Sequence, residues 1–288
     1  MNISFKKLHP TFAAEVSSID LREINDELTL SHLRKAMSEY GVLVFKGQQL
    51  SLQDQLDFAQ RLDGVLHTKT SNSVLSKNRF GNDALTDISN VAQDGEIMAA
   101  DDRRRMNNIS NRIWHTDASF ENPPGRYSML CARTIPSVRA DTEFADMRTA
   151  YDLLDEPMRA TIENLHVHHS IVYSRHTMGF DFSPEERAKL PGANQPLVRT
   201  VENSSRKALY LASHADHVVE WPIPEGRLLL RDLIEHATKP QFVYSHEWTV
   251  CDLVIWDNRT TMHRGRPFDD KTHKRELTRV TTLDIPRH

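Results

Sequence analysis

The run Trp114-His115-Thr116-Asp117 carries the sharpest chemical signal in the chain. On an extended segment, residues i and i+2 project to the same side. His115 and Asp117 can therefore offer an imidazole nitrogen and a carboxylate oxygen to one metal ion. A second histidine, His263, lies far downstream, just beyond the apolar run Leu253 to Trp256. Two histidines and one carboxylate on one face form the facial triad of non-haem Fe(II) oxygenases. Such a triad leaves three octahedral positions for a co-substrate and O2. Further on, the chain reads Lys274-Arg-Glu-Leu-Thr-Arg-Val-Thr-Thr-Leu283. As a strand, it would put Arg275, Leu277 and Arg279 on one face. The two arginines would then stand about 13 Å apart, from a rise of about 3.3 Å per residue. A guanidinium grips a carboxylate through a two-pronged fork. The pair can thus bracket a dicarboxylate and a neighbouring anionic substrate.

Something must bring these distant segments together, and the apolar patterning says what. Leu28 to Tyr40 has apolar residues at helical spacing and stops at Gly41. Gly41 to Phe45 reads as a buried strand. Ser51 opens a second helix with Asp54 as its capping-box partner. Pro157 to Leu165 and Gly226 to Ala237 read as further helices. Arg126 to Thr134, Val167 to Ser174, Ala208 to Ala212, Asp252 to Asp257 and Glu276 to Leu283 read as strands. Many short strands without βαβ alternation predict a mainly β fold with flanking helices, an antiparallel sandwich or jelly roll. No linker breaks the sequence, so 1–288 reads as a single domain. The polar stretch 71–111 matches no element and reads as a mobile active-site loop or lid.

Composition narrows the function. With 288 residues, 39% hydrophobic and 26% charged, the chain has the make-up of a soluble globular protein. A net charge of −4 gives no reason to expect nucleic acid or an anionic membrane as partner. No apolar run is long enough for a transmembrane helix, and the N-terminal residues lack the apolar core of a secretory signal. Two cysteines exclude a disulfide framework and point to a cytoplasmic, reducing home.

Taken together, the motifs resemble the TauD/TfdA family of Fe(II)- and 2-oxoglutarate-dependent dioxygenases. Within that family the likeness is nearest to the 2,4-dichlorophenoxyacetate (aryloxyalkanoate) dioxygenases. It runs almost end to end, through LHPTFAAEVSSIDLRE, GVLVFKGQQLS, TDISNVAQDG, IWHTDASFENPPGRYSML, ADTEFADMRTAYD, HADHVVEWPIPEGR, IEHATKPQFVYSHEW, DLVIWDNRTTMHRGR and KRELTRVTTLD. The resemblance implies a double-stranded β-helix and makes His115, Asp117 and His263 the iron ligands. It implies that Thr142 and Arg275 hold 2-oxoglutarate, Arg275 at the distal carboxylate. Arg279 would face the substrate's anionic group or the metal-side carboxylate. Lys69, Asn90 and His214 would line the substrate pocket, with Lys69 near the substrate carboxylate. Glu96 departs from the pattern, standing where the nearest relatives tend to carry a basic residue. The implied reaction consumes O2 and 2-oxoglutarate, releases succinate and CO2, and hydroxylates a small organic acid. On an aryloxyacetate, the product would collapse to a phenol and glyoxylate. A homo-oligomer, dimer or tetramer, is a further implication.

Other readings stay open at this point. The same iron chemistry could act on a sulfonate, an amino-acid derivative or another organic acid, and could end in desaturation or cyclisation. A zinc hydrolase could use the three ligands, and a catalytically silent protein could bind carboxylates on the same fold. His166, His168 and His169 alternate sides on a strand and read as structural. His214 and His217 could meet if they lie on a loop. Trp256 reads as core, Arg103 to Arg105 as a solvated face, and Cys131 and Cys251 as buried thiols.

Overall fold

The computed structural model describes residues 3–68, 75, 79–201 and 204–286. Lys69 and most of 71–78 lie outside the described residues. In the first part the elements are β1 (Ser4–Lys7), β2 (Ala14–Ser17), α1 (Glu27–Tyr40), β3 (Val42–Phe45), α2 (Leu52–Asp63), β4 (Thr86–Ser89) and α3 (Arg103–Ile109). Then come β5 (Gly125–Thr134), β6 (Thr142–Asp146), α4 (Met147–Asp152), α5 (Glu156–Ile162), β7 (His166–His169), α6 (Ile171–His176) and α7 (Pro184–Arg187). Four short strands follow, β8 (Ala193–Pro196), β9 (Val198–Thr200), β10 (Lys207–Leu209) and β11 (Ala215–Val218). The last elements are α8 (Ile223–Ala237), β12 (Val243–His246), β13 (Leu253–Asp257), β14 (Thr261–Gly265) and β15 (Glu276–Leu283).

The large sheet runs β1-β2-β3-β13-β5-β15-β4. Its central strands are buried on both faces, and a period of two sorts their side chains. Leu43, Phe45, Met129, Cys131, Leu253, Ile255 and Val280 pack outward against Leu30, Leu33 and Met37 of α1 and Leu56 and Ala59 of α2. Val42, Val44, Leu130, Ala132, Val254, Trp256 and Leu277 point the other way. They meet Phe144 of the small sheet β12-β6-β14. The outer face of that sheet, through Ala145 and Met262, packs with Leu230 and Leu233 of α8. Two facing sheets with helices outside make the expected jelly roll. The sheets meet at Thr142, Phe144, Trp256 and His263, which is where the site opens.

Local chemistry fixes the helix ends. Asp26 caps α1 by accepting from the Thr29 N–H, and Gly41 ends it at φ 69°. A Cβ at Gly41 would come within 2.9 Å of the Arg148 guanidinium, so glycine answers both demands. Ser51 and Asp54 form the expected capping box on α2.

Three expectations change. Val167 to Ser174 is not one strand. Ser170 accepts from the Tyr173 N–H and starts α6, and Ile171 turns into an apolar cluster with Phe120, Phe180 and Phe182. The described part of 71–111 carries β4 and α3, which sequence periodicity does not reveal. Both are short, and ion pairs Arg79–Asp87 and Arg105–Asp270 tie this segment down. Cys131 is buried, and burial pushes its thiol up to about 11. Cys251, however, sits half-buried in a turn at φ 68°. Among the described residues, no helix is long and apolar enough to cross a membrane.

Gln55 staples α2 to the sheet from a fully buried position. Its Nε2 donates to the carbonyls of Met129 (3.1 Å) and Thr278 (2.9 Å). Its Oε1 accepts from Thr278 Oγ1 at 2.6 Å and Arg133 Nη2 at 3.1 Å. Gln55→Ala strands buried acceptors and donors and should cost about 2–4 kcal/mol in urea unfolding. A loss within about 0.5 kcal/mol, the range of a surface change, would show the staple to be idle.

Candidate active site

His115 and His263 come together through backbone. The His115 N–H donates to the His263 carbonyl at 2.9 Å, and the His263 N–H donates back at 2.8 Å. This bridge adds the His115 segment to the edge of β14. The His115 Nδ1–H donates to the Ile113 carbonyl at 2.8 Å, which leaves Nε2 with its lone pair free. That Nε2 lies 3.9 Å from Asp117 Oδ1, and His263 Nε2 lies 3.8 Å from Asp117 Oδ2. One ligand atom from each residue fits within 4.8 Å of the others, and all three residues are buried. Their chemistry suits a divalent transition metal bound by nitrogen and oxygen on one face.

Electrostatics keeps the donors in their ligand forms. Burial pushes the His115 imidazole down to about 4, against the pull of Asp117. It pushes His263 well below the ordinary value, helped by His115. Burial alone would raise the Asp117 carboxyl, but Arg279, the two histidines and the Ser128 hydroxyl outweigh it and hold it at about 2. Neutral imidazoles and an ionised carboxylate therefore coexist near neutral pH.

Asp117 is held from several sides. Oδ2 accepts from Ser128 Oγ at 2.7 Å, and Oδ1 accepts from Arg279. The Asp117 N–H donates to Asn258 Oδ1 at 3.0 Å. That same oxygen accepts from Trp256 Nε1, while Asn258 Nδ2 donates to Ser128 Oγ at 3.0 Å. Gly125 passes so close that a Cβ there would lie 3.1 Å from the Asp117 carbonyl. Asn258 and Ser128 went unnoticed in the sequence. Their only signal was position: Asn258 follows the apolar β13, and Ser128 points inward from β5 beside Leu130.

Two cavities meet at this cluster, sharing Ile88, Asn111, His115 and Arg279. One holds Thr142, Arg275, Trp256 and His263. Thr142 Oγ1 accepts from Trp248 Nε1 at 3.0 Å and from Arg275 Nη2 at 3.4 Å. Arg275 is buried, and burial pulls it down to about 10. The expected common face thus holds: Arg275 and Arg279 line one cavity, with Leu277 in the core between them. The other cavity holds Asp117, Phe120, Ile171, Arg175 and His214. His214 is buried, edge-on to Phe120 with centroids 5.0 Å apart, and its Nδ1 lies 3.3 Å from Ser119 Oγ.

Asn90 does something other than wait for a ligand. Its Nδ2 donates to the carbonyls of Asp270 (2.7 Å) and His273 (2.8 Å), and its Oδ1 accepts from the Arg275 N–H at 2.8 Å. It clamps the loop that delivers Arg275. Glu96 is exposed and pairs with Lys274 at 3.3 Å, away from both cavities. Of the arginine run, only Arg103 is solvated; Arg105 is buried against Asp270. His217 stacks on His168, so His214 and His217 do not meet. Trp256 is fully buried, as expected.

A ring of two histidines and an aspartate at the mouth of a jelly roll, with a buried arginine and threonine beside it, defines a class: the 2-oxoglutarate-dependent non-haem iron dioxygenases. Comparison with known proteins agrees. The family model "Taurine catabolism dioxygenase TauD, TfdA family" matches residues 4–281, and the chain belongs to that family. It is 45% identical, over 99% of both chains, to an alpha-ketoglutarate-dependent 2,4-dichlorophenoxyacetate dioxygenase of Cupriavidus pinatubonensis. It is 33% identical, over 93% of this chain and 90% of the other, to an (S)-phenoxypropionate/alpha-ketoglutarate-dioxygenase of Sphingobium herbicidovorans. The crystal structure of AAD-2 in complex with Mn(II) and N-oxalylglycine superposes with a TM-score of 0.89. It is 41% identical, covering 98% of this chain and 97% of that one.

Two outcomes follow from the network and the burial. Asn258→Ala should weaken Mn(II) binding about 10- to 100-fold while the circular dichroism spectrum stays native, because it frees the backbone and hydroxyl that orient Asp117. Unchanged affinity in a Mn(II) titration would remove Asn258 from the site. The second concerns acid. Folded-state values of about 4 for His115 and about 3 for His169 lie below the unfolded value of 6.5. The unfolded chain therefore binds more protons below pH 6.5, and stability falls as pH drops from 6.5 toward those folded values. Each such histidine should cost the metal-free protein about 2 kcal/mol by pH 5. Urea midpoints that stay flat from pH 7 to 5 would contradict this.

Proposed function

We propose that the chain oxidises an aryloxyalkanoate such as 2,4-dichlorophenoxyacetate, using Fe(II), 2-oxoglutarate and O2. The products are a phenol, glyoxylate, succinate and CO2. The observation that carries this reading is the pair of cavities that share the His115, Asp117 and His263 cluster. One is lined by Arg275 and Thr142, a cation and a hydroxyl suited to a dicarboxylate. The other sets Ile88, Phe120 and Ile171 beside a buried arginine and otherwise polar side chains, a lining that offers an aromatic body a few apolar contacts and an anion a cation.

In this reading His115, Asp117 and His263 hold the iron, which when bound activates O2 at the expense of the 2-oxo acid. The chain's own groups do the rest. Arg275 pairs with the distal carboxylate of the co-substrate, and Thr142 donates its hydroxyl hydrogen to that same anion. Trp248 fixes the Thr142 oxygen, and Asn90 fixes the Arg275 backbone. Arg279 balances the charge of Asp117. His214 and Phe120 border the substrate, and we propose Lys69, on the resemblance alone, as a further residue of that pocket. Burial excludes water from the reacting atoms. We further propose one domain working in the cytoplasm, with the segment around 71–111 forming the cover of the site.

The test is anaerobic visible spectroscopy followed by product analysis. Adding Fe(II) and then 2-oxoglutarate should produce a weak metal-to-ligand charge-transfer band in wild type and none in His115→Ala. Arg275→Gln should raise the 2-oxoglutarate concentration needed at least tenfold. With air and 2,4-dichlorophenoxyacetate, phenol and succinate should appear in equal amounts. Turnover without O2 or 2-oxoglutarate would favour a zinc hydrolase, and a well-folded, metal-loaded protein without the band would favour a silent binder. A sulfonate or amino-acid derivative consumed in place of aryloxy acids would keep the oxygenase and overturn the substrate.

A further inference from the structure

Five arginines among the described residues are buried, each exposed to less than a tenth: Arg105, Arg126, Arg148, Arg175 and Arg275. A buried guanidinium without a counter-ion is costly, so such groups pair with carboxylates. Three of the five do. Arg105 pairs with Asp270, Arg126 with Asp63 and Asp284, and Arg148 with Asp146. Arg175 and Arg275 pair with no carboxylate. Arg275 lines the cavity read above as the co-substrate's. Arg175 lines the other.

Arg175 arrives there because Ser170 ends β7 and starts α6. Its Nε donates to Asn107 Oδ1 at 3.0 Å, and its Nη1 reaches Ser174 Oγ at 3.4 Å. Its Nη2 makes no hydrogen bond. Two other side chains of the same cavity carry buried polar atoms without a partner: His214 at Nε2, and Asn108 at both amide atoms. The one carboxylate lining this cavity, Asp117, is already taken by Arg279 and Ser128. The lining thus sets two arginines against one carboxylate, and Arg175 is the one left without a carboxylate partner. Burial and the neighbouring Arg279 push Arg175 down to about 9, so it remains charged at neutral pH. Apolar walls from Ile88, Phe120 and Ile171 complete the shape.

We propose that Arg175 receives the anionic head of the primary substrate, setting the carbon next to that head against the His115, Asp117 and His263 cluster. Arg279 stays with Asp117. This deepens the reading above and rests on it for the identity of the two cavities. Arg175 thereby decides that the substrate must be an anion, and Arg275 plays the same part for the co-substrate.

The experiment compares an acid with its uncharged amide. Protein loaded with Mn(II) and N-oxalylglycine, which cannot turn over, is titrated by calorimetry with 2,4-dichlorophenoxyacetate and with 2,4-dichlorophenoxyacetamide. Wild type should bind the acid at least tenfold more tightly. Arg175→Gln should bind both alike, at the affinity wild type shows for the amide, with N-oxalylglycine affinity within about twofold of wild type. Arg175→Lys keeps the charge without the fork and should keep part of the preference. It serves as the judge if Arg175→Gln does not fold. A purely structural arginine would weaken acid and amide together and leave their ratio unchanged. An unchanged ratio in the variants, or its collapse in Arg279→Gln instead, overturns the proposal. So does a wild type that prefers no acid over its neutral analogue across aryloxy acids, sulfonates and aliphatic carboxylates. If a sulfonate is the preferred ligand and loses its preference in Arg175→Gln, Arg175 stands and the aryloxyalkanoate reading falls. If aryloxy acids turn over but Arg175→Gln keeps the ratio, the reverse holds.

Discussion

The site depends on two backbone hydrogen bonds between His115 and His263. Neither residue belongs to the other's stretch of chain, and no side-chain contact could hold two imidazoles at one point without a rigid frame. The reciprocal bridge supplies that frame and costs little. Both partners would need backbone partners in any buried setting, and here each satisfies the other. Once the bridge forms, β14 sets the position of His263, and the extended 115–117 segment sets His115 and Asp117 two residues apart on one side. The Asn258 amide then ties that segment to the end of β13. Three ligands are thereby fixed by main chain and one asparagine, before any metal contributes.

Burying this cluster creates an electrical problem, and the arginines are its solution. Desolvation drives both imidazoles to their neutral forms, which a ligand requires. It would drive Asp117 neutral as well, which a ligand cannot be. Arg279 reverses that one outcome. The same low dielectric makes every further unpaired charge expensive. The chain nevertheless keeps Arg275 and Arg175 buried without carboxylate partners, and it is this imbalance on which the proposal of an anion at each arginine rests. On that proposal, entry of the two anions relieves the charge, and affinity follows from charge balance as well as from shape.

Much of this was legible in the sequence. The His-x-Asp spacing, the late histidine and two arginines four apart, Arg275 just before β15 and Arg279 on it, picked out residues that the fold brings together. The continuous apolar runs of β3 and β13 marked the centre of the sheet, because a strand sandwiched between helices and a second sheet is buried on both faces. Capping chemistry at Asp54 and Gly41 gave the helix ends. The failures have physical causes. Ile171 to Ser174 reads as the end of a strand because Ile and Val favour extended backbone. Its fate was decided by the Ser170 cap and by Phe120, Phe180 and Phe182. Thr86 to Ser89 and Arg103 to Ile109 are too short to show a period and are held by ion pairs with Asp87 and Asp270. Such pairs leave no trace in a single sequence. Asn90 does line a cavity beside Arg275, but its hydrogen bonds, all to backbone, were not visible in the sequence.

The elements that escaped the sequence are also the ones that shape the second cavity. The jelly-roll strands supply His263, Thr142 and Arg279, and the segment with His115 and Asp117 is bridged to β14. The segments around β4, α3 and α6 supply Ile88, Asn107, Asn108, Ile171 and Arg175. The first group answers to sheet register, where a slip of one residue would turn every inward side chain outward. The second answers mainly to caps, ion pairs and the apolar cluster around Ile171, with β4 alone tied to the register of β15. Within one frame, the reaction is therefore set by the strands and the choice of substrate by the short helices and loops. Arg175 sits where the two meet. It is anchored through Asn107 of α3 and projects from α6, yet it acts on whatever the strands have placed beside His115. Changing the preferred acid should for that reason begin with α3 and α6, where the walls can be rebuilt without moving a single ligand.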